Sequence, residues 1–120
     1  MRLSKHNFVI AYRCRGGLKL HQYPSLLYAW PVSPDVVIIQ LGENDLADRD
    51  NRYIVARLCT LVDFLLCGTG CKLVMICQLL KRSPNVVGGR FNNRIIELNR
   101  TLERRFANRH DVILWKHRGL

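Results

Sequence analysis

The sequence predicts an α/β fold built on a parallel sheet. Four short apolar runs, at residues 8–12, 36–41, 73–77 and 112–115, alternate with three longer helical patterns. Such alternation makes βαβ units, whose strands pair in parallel. The run at 36–41 reads Val-Val-Ile-Ile-Gln-Leu and is apolar at all but one position. A continuous apolar run, rather than an alternating one, marks a strand covered on both faces, as parallel strands are.

The elements follow in order. Phe8-Val9-Ile10-Ala11-Tyr12 is the first strand candidate. The connector at 18–30 places Leu18, Leu20, Leu26, Leu27 and Trp30 at apolar positions, and Pro24 divides it into a short helix and a turn. The second strand, 36–41, stops at Gly42. Asp48 and Asp50 are good N-cap residues for a helix that runs to about Cys67. That helix is apolar nearly all round, at Ile54, Val55, Leu58, Leu61, Val62 and Leu65, and Gly68 and Gly70 fit its stop. Leu73-Val74-Met75-Ile76-Cys77 is the third strand, and a polar loop with Gly and Pro is expected over 81–90. Phe91, Ile95, Leu98, Leu102 and Phe106 then form one helical stripe, with Arg90, Arg94, Arg100, Arg104, Arg105 and Arg109 mostly off it. Glu97 and Arg100 can pair one turn apart. Val112-Ile113-Leu114-Trp115 is the last strand.

The length, 120 residues, is that of one domain, and the 48% hydrophobic content excludes global disorder. Nineteen Lys and Arg against nine Asp and Glu give a net charge of +10. That balance draws the chain toward anions and motivates an alternative reading as a basic nucleic-acid-binding module, through the Arg-rich helix and Arg13, Arg15 and Lys19. No aromatic residues interleave with the basic ones for base stacking, so a solvated charged face accounts for them more simply. Five cysteines, none at Cys-x-x-Cys spacing, read as reduced thiols of an intracellular, cytoplasmic protein. His6, His21, His110 and His117 are not spaced with them as zinc ligands, and no metal or cofactor is expected. No signal peptide is evident, and no run reaches the roughly 20 apolar residues of a membrane span.

Two turns follow predicted strands directly: Arg15-Gly16-Gly17 and Gly42-Glu43-Asn44-Asp45. The carboxyl ends of parallel strands are where α/β proteins bind ligands. Acyl transfer creates an oxyanion there, which preorganised N–H donors stabilise. A glycine N–H can approach closely because no Cβ intervenes, and an Asn carboxamide adds a second donor. Taken alone, Gly16-Gly17 is ordinary loop punctuation and Asn-Asp an ordinary turn pair.

The longer string Asp35-Val36-Val37-Ile38-Ile39-Gln40-Leu41-Gly42-Glu43-Asn44-Asp45-Leu46 resembles the third block of the SGNH, or GDSL-type, hydrolases, a hydrophobic strand ending in Gly-x-Asn-Asp. Arg15-Gly16-Gly17 resembles the second block, and 91–99 looks like the helix before that family's last core strand. The resemblance implies a three-layer α/β/α, flavodoxin-like sheet and hydrolysis of esters or thioesters. It implies that Asn44 is an oxyanion donor through its side chain and Gly17, alternatively Gly16, a backbone donor. Gly42 and Asp45 would organise the turn. A full-length relative would take a small ester.

The remainder of that family's machinery has no counterpart in the sequence. Ser4, Ser25, Ser33 and Ser83 lack the Gly-Asp-Ser-type turn of the first block. His117 lies near the right end of the last strand, but Leu114 stands where the family has Asp, so it reads as a surface histidine. The expectation is a single partial domain over 1–120, lacking the family's first strand: a fragment or inactive relative. A central strand missing from such a sheet leaves apolar edges, with three outcomes open: the 8–12 strand slides beside 36–41, another chain supplies the strand by self-association, or the product folds poorly. A further alternative is a protein-interaction module whose apolar sheet edge docks a partner strand.

Overall fold

The structure, a computed structural model, describes residues 20–22 and 34–117. The strand expected at 8–12, most of the connector at 18–30, and both Gly16 and Gly17 lie outside the described residues.

Three strands form where apolar residues run continuously: β1 at Val36–Ile39, β2 at Leu73–Cys77 and β3 at Val112–Trp115. They pair in parallel in the order β1-β2-β3, with Val36 opposite Leu73 and Val74 opposite Val112. Helix α1, Asn51–Asp63, connects the first pair, and α2, Pro84–Phe106, the second. The fold class is therefore α/β, as expected from the alternation of runs.

Each helix has a local cause. Asp50 caps α1, its carboxylate accepting the Tyr53 N–H at 2.8 Å. Ile54, Leu58, Leu61 and Val62 fall three or four apart and are buried together. The helix then widens into a π-turn, Phe64–Gly68, closed where the Leu65 carbonyl accepts from Thr69 Oγ1 at 2.6 Å and from the Cys71 N–H at 3.3 Å. Helix α2 starts at Pro84, earlier than the loop expected over 81–90. Proline suits the first helical turn, where its missing N–H has no partner to lose. The long stripe of Ile95, Leu98, Leu102 and Phe106, all buried, makes a helix strong enough to extend back through Gly88 and Gly89.

The period of two along each strand sorts the sheet into faces. Val37, Ile39, Val74, Ile76, Val112 and Leu114 face the helices and join their apolar stripes in one core. Fully burying each such side chain contributes about 1.5–3 kcal/mol. The opposite face differs from the expectation of strands covered on both sides. Ile38 is 55% exposed and Trp115 46% exposed, and Val36 and Ile113 are exposed beside them. Successive right-handed crossovers stepping one way across a sheet deliver their helices to one face, which leaves the other open among the described residues.

Candidate functional site at the strand exits

The carboxyl ends of all three strands carry polar side chains that meet. After β1 the chain passes Gln40 and Leu41 to Gly42, then enters a 3-10 turn, Glu43–Asp45. Gly42 is buried with φ at +127°, and a Cβ placed there would sit 3.3 Å from Leu79 Cδ2. Glycine is thus required by backbone conformation as well as by space.

The turn is fixed from inside. Asp45 is 1% exposed, and its Oδ2 accepts the Leu20 N–H at 3.0 Å. Its own carbonyl accepts from the Asp48 and Arg49 N–H groups. Arg94 of α2 donates to the carbonyls of Leu46 and Arg49, each at 2.6 Å, and to Asn51 Oδ1 at 3.0 Å. One guanidinium thereby gathers the carbonyls that follow the turn.

Asn44 lies at the exit of β1, half-buried, with its Oδ1 accepting from Arg82 Nη2 at 3.1 Å. That bond orients the carboxamide, oxygen toward Arg82 and the NH2 group away. Arg82 is itself held: its guanidinium stacks over the Phe91 ring, 4.8 Å from the centroid. Its N–H donates to Asn92 Oδ1 at 2.9 Å and its carbonyl accepts from Asn92 Nδ2 at 2.8 Å. Two helical turns on, Asn99 grips Leu79 in the same way, at 2.8 and 3.1 Å. Helix α2 thus holds residues 79–82 much as a neighbouring strand would.

A second group of side chains spans the three exits. Gln40 Nε2 donates to Glu43 Oε1, and to the Gln78 carbonyl at 3.4 Å. Glu43 Oε1 also accepts the Leu80 N–H at 3.1 Å. With its amide nitrogen so used, Gln40 turns Oε1 to His117 Nε2, 3.2 Å away. His117 Nε2 is then the donor, which sets its tautomer. The His117 N–H donates to Gln78 Oε1 at 3.2 Å. Cys77 is buried beside this group, and desolvation first, then the nearby Glu43 carboxylate, pushes its thiol pKa up. It is a protonated thiol at neutral pH.

Of the residues singled out in the sequence, the structure places Asn44, Gly42 and Asp45 in one turn, and puts His117 at the same edge of the sheet. Gly17 falls outside the described residues. Ser83, the one described serine, is exposed at the start of α2. Arg82, Arg94, Gln40, Gln78, Asn92 and Asn99 are site residues that the sequence motifs do not single out. Two signals were present: Gln-Leu follows both the β1 and the β2 run, and Asn92 and Asn99 are seven apart on the face that carries Ile95 and Leu102. A shallow depression of about 300 Å³ lies on the α2 side, between Lys81, Arg100 and Lys116, rather than over Asn44. Among the described residues no three His, Cys, Asp or Glu side chains cluster as metal ligands, and no helix is long and apolar enough to cross a membrane. Comparison with family models, with characterised proteins and with solved structures finds no match for this chain.

Proposed function

We propose that this chain is a fragment or inactive relative of the SGNH-type ester hydrolases. It keeps the oxyanion half of the site, at Asn44, on what would be a three-layer, flavodoxin-like scaffold, and it has neither nucleophile nor general base. One observation carries the reading: the Asn44 carboxamide stands at a parallel strand's exit with its oxygen engaged by Arg82, which turns the N–H donors elsewhere. An oxyanion needs donors, so this is the useful orientation. The absence of the family's His–Asp base is supported at His117, which has Leu114 three residues before it and whose ring meets Gln40 rather than a carboxylate. The raised pKa of Cys77 argues against a thiolate nucleophile. Without nucleophile and base, acyl transfer retains little of its rate. The test is turnover of p-nitrophenyl butyrate. The expected rate is that of buffer alone, and clear turnover that Asn44→Ala abolishes would overturn the inactive assignment.

The open sheet face supports a second reading, as a surface for a second copy of this chain. Val36, Ile38, Ile113 and Trp115 offer an apolar area that carries no charged side chain among the described residues, which matches another such face. Exposed Arg90, Arg100, Arg104 and Arg105 belong to α2, on the far side of the sheet, so two chains packed face to face keep their positive charge apart. Sedimentation at micromolar concentration discriminates: a dimer that Ile38→Lys converts to monomer supports it, and a monomer throughout removes it.

A further inference from the structure

Arg82 is prepared for something it does not contact within the chain. Arginines at protein surfaces are commonly held by a carboxylate; this one is held by three neutral groups. Its backbone is clasped by Asn92, its guanidinium plane rests on Phe91, and Nη2 donates to Asn44 Oδ1. The acid in the neighbouring network, Glu43, has its Oε1 occupied by Gln40 Nε2 and the Leu80 N–H, and it forms no ion pair with Arg82. Among the described residues Arg82 has no carboxylate partner, although ion pairs form elsewhere, at Lys116–Glu103 and Arg109–Asp111. Lys81, next to it, is exposed too. The fork is therefore fixed in direction and uncompensated in charge, at the edge of the sheet where ligands bind.

We infer that Arg82 anchors a small monocarboxylate ligand beside Asn44, and that it is also the positioning residue for the Asn44 carboxamide. The first part follows from shape. A guanidinium presents parallel N–H groups that match the two oxygens of a carboxylate, and stacking on Phe91 restricts the rotation that would otherwise oppose binding. The second part follows from direction. A charged donor on Oδ1 settles which end of the amide is oxygen, and polarises the opposite N–H bonds, making them better donors. A ligand with a carboxylate, such as the acid released from an ester, would meet the Arg82 fork beside Asn44. This rests on the reading of Asn44 as an oxyanion donor, and the experiment separates the two.

The full chain, labelled with 15N, is titrated at fixed ionic strength with sodium butyrate, with inorganic phosphate and with neutral ethyl butyrate. The Arg82 Nε–H and Asn44 side-chain resonances are followed. Butyrate is expected to shift both saturably, and phosphate to bind more weakly. Arg82→Ala should weaken butyrate roughly 10- to 100-fold, the worth of a charged hydrogen-bond pair. Arg82→Lys should restore only part of it, because the fork is lost. Arg100→Ala, which removes an exposed charge from α2, should leave butyrate binding unchanged. An equal loss in Arg100→Ala, or unchanged binding in Arg82→Ala, would mean that only net charge attracts the anion and would overturn the anchor. Phosphate binding more tightly than butyrate would overturn the carboxylate class. Loss in Arg82→Ala without loss in Asn44→Ala keeps the anchor and defeats the oxyanion reading; the reverse pattern keeps the oxyanion reading and defeats the anchor. Dispersed spectra of each variant report that it is folded.

Discussion

Asn99 pairs with the backbone of Leu79 as a strand would: the Leu79 N–H donates to Oδ1 and the Leu79 carbonyl accepts from Nδ2. Both residues are buried. Asn99→Ala leaves a buried N–H and a buried C=O without partners, at about 1–3 kcal/mol each. A loss of roughly 2–6 kcal/mol is expected in urea unfolding. Asn92→Ala breaks the equivalent clasp on Arg82 where water can replace it, and should cost about 1 kcal/mol or less.

Gly42→Ala tests the turn that presents Asn44. At φ +127° an L side chain is strained, and the new methyl would press on Leu79. A loss of about 1–3 kcal/mol is expected in the same assay. Since Asn44 follows two residues later, its side-chain amide resonances should move as well.

The strands were legible because 36–39, 73–77 and 112–115 are apolar runs, and their alternate residues supply the buried helix face. The start of α2 was not, because Gly and Pro punctuate loops and also occupy helix first turns; only the strength of the stripe from Ile95 to Phe106 decides between them. The turn at Asn44 was legible from Gly-x-Asn-Asp. Its supports were not. Arg82, Asn92 and Arg94 act across sequence separations that the sheet register sets, and a polar residue on a helix looks alike whether it faces water or a backbone carbonyl. The open face is the converse case: Val36 and Ile38 read as buried because nothing in a single run of residues states how many faces are covered.

The last strand is joined to α1 by charge. Arg109 donates to both oxygens of Asp111 at 3.0 and 3.1 Å and to Asp63 at 3.4 Å. The Arg109 hydrogen bond holds the Asp111 carboxyl below the usual carboxylate range. A carboxylate depressed in the folded state contributes stability that is complete above its unfolded value, near 3.9, and is lost as pH falls through the folded value. Arg109→Ala should therefore raise the pH of acid unfolding below about pH 4 and leave its slope near pH 7 unchanged, as followed by circular dichroism. The groups are half-exposed, so the shift should shrink in 0.5 M salt.

Thiol labelling separates the cysteines. Cys67 is exposed; Cys77 and Cys71 are buried, and Cys77 has a raised pKa. With 5,5′-dithiobis(2-nitrobenzoate) at pH 8, Cys67 should react first among the described cysteines and Cys77 only on unfolding. A thiol raised in the folded state holds its proton while the unfolded one ionises, so stability falls as pH rises above about 8.5. Cys77→Ala should reduce that fall.

The most direct test of an oxyanion donor without a nucleophile is intact-mass analysis after incubation with an alkyl fluorophosphonate, which phosphonylates activated serines. The expected spectrum shows unmodified chain. A single stoichiometric adduct, lost in Asn44→Ala, would locate a working nucleophile beside that carboxamide and contradict the account.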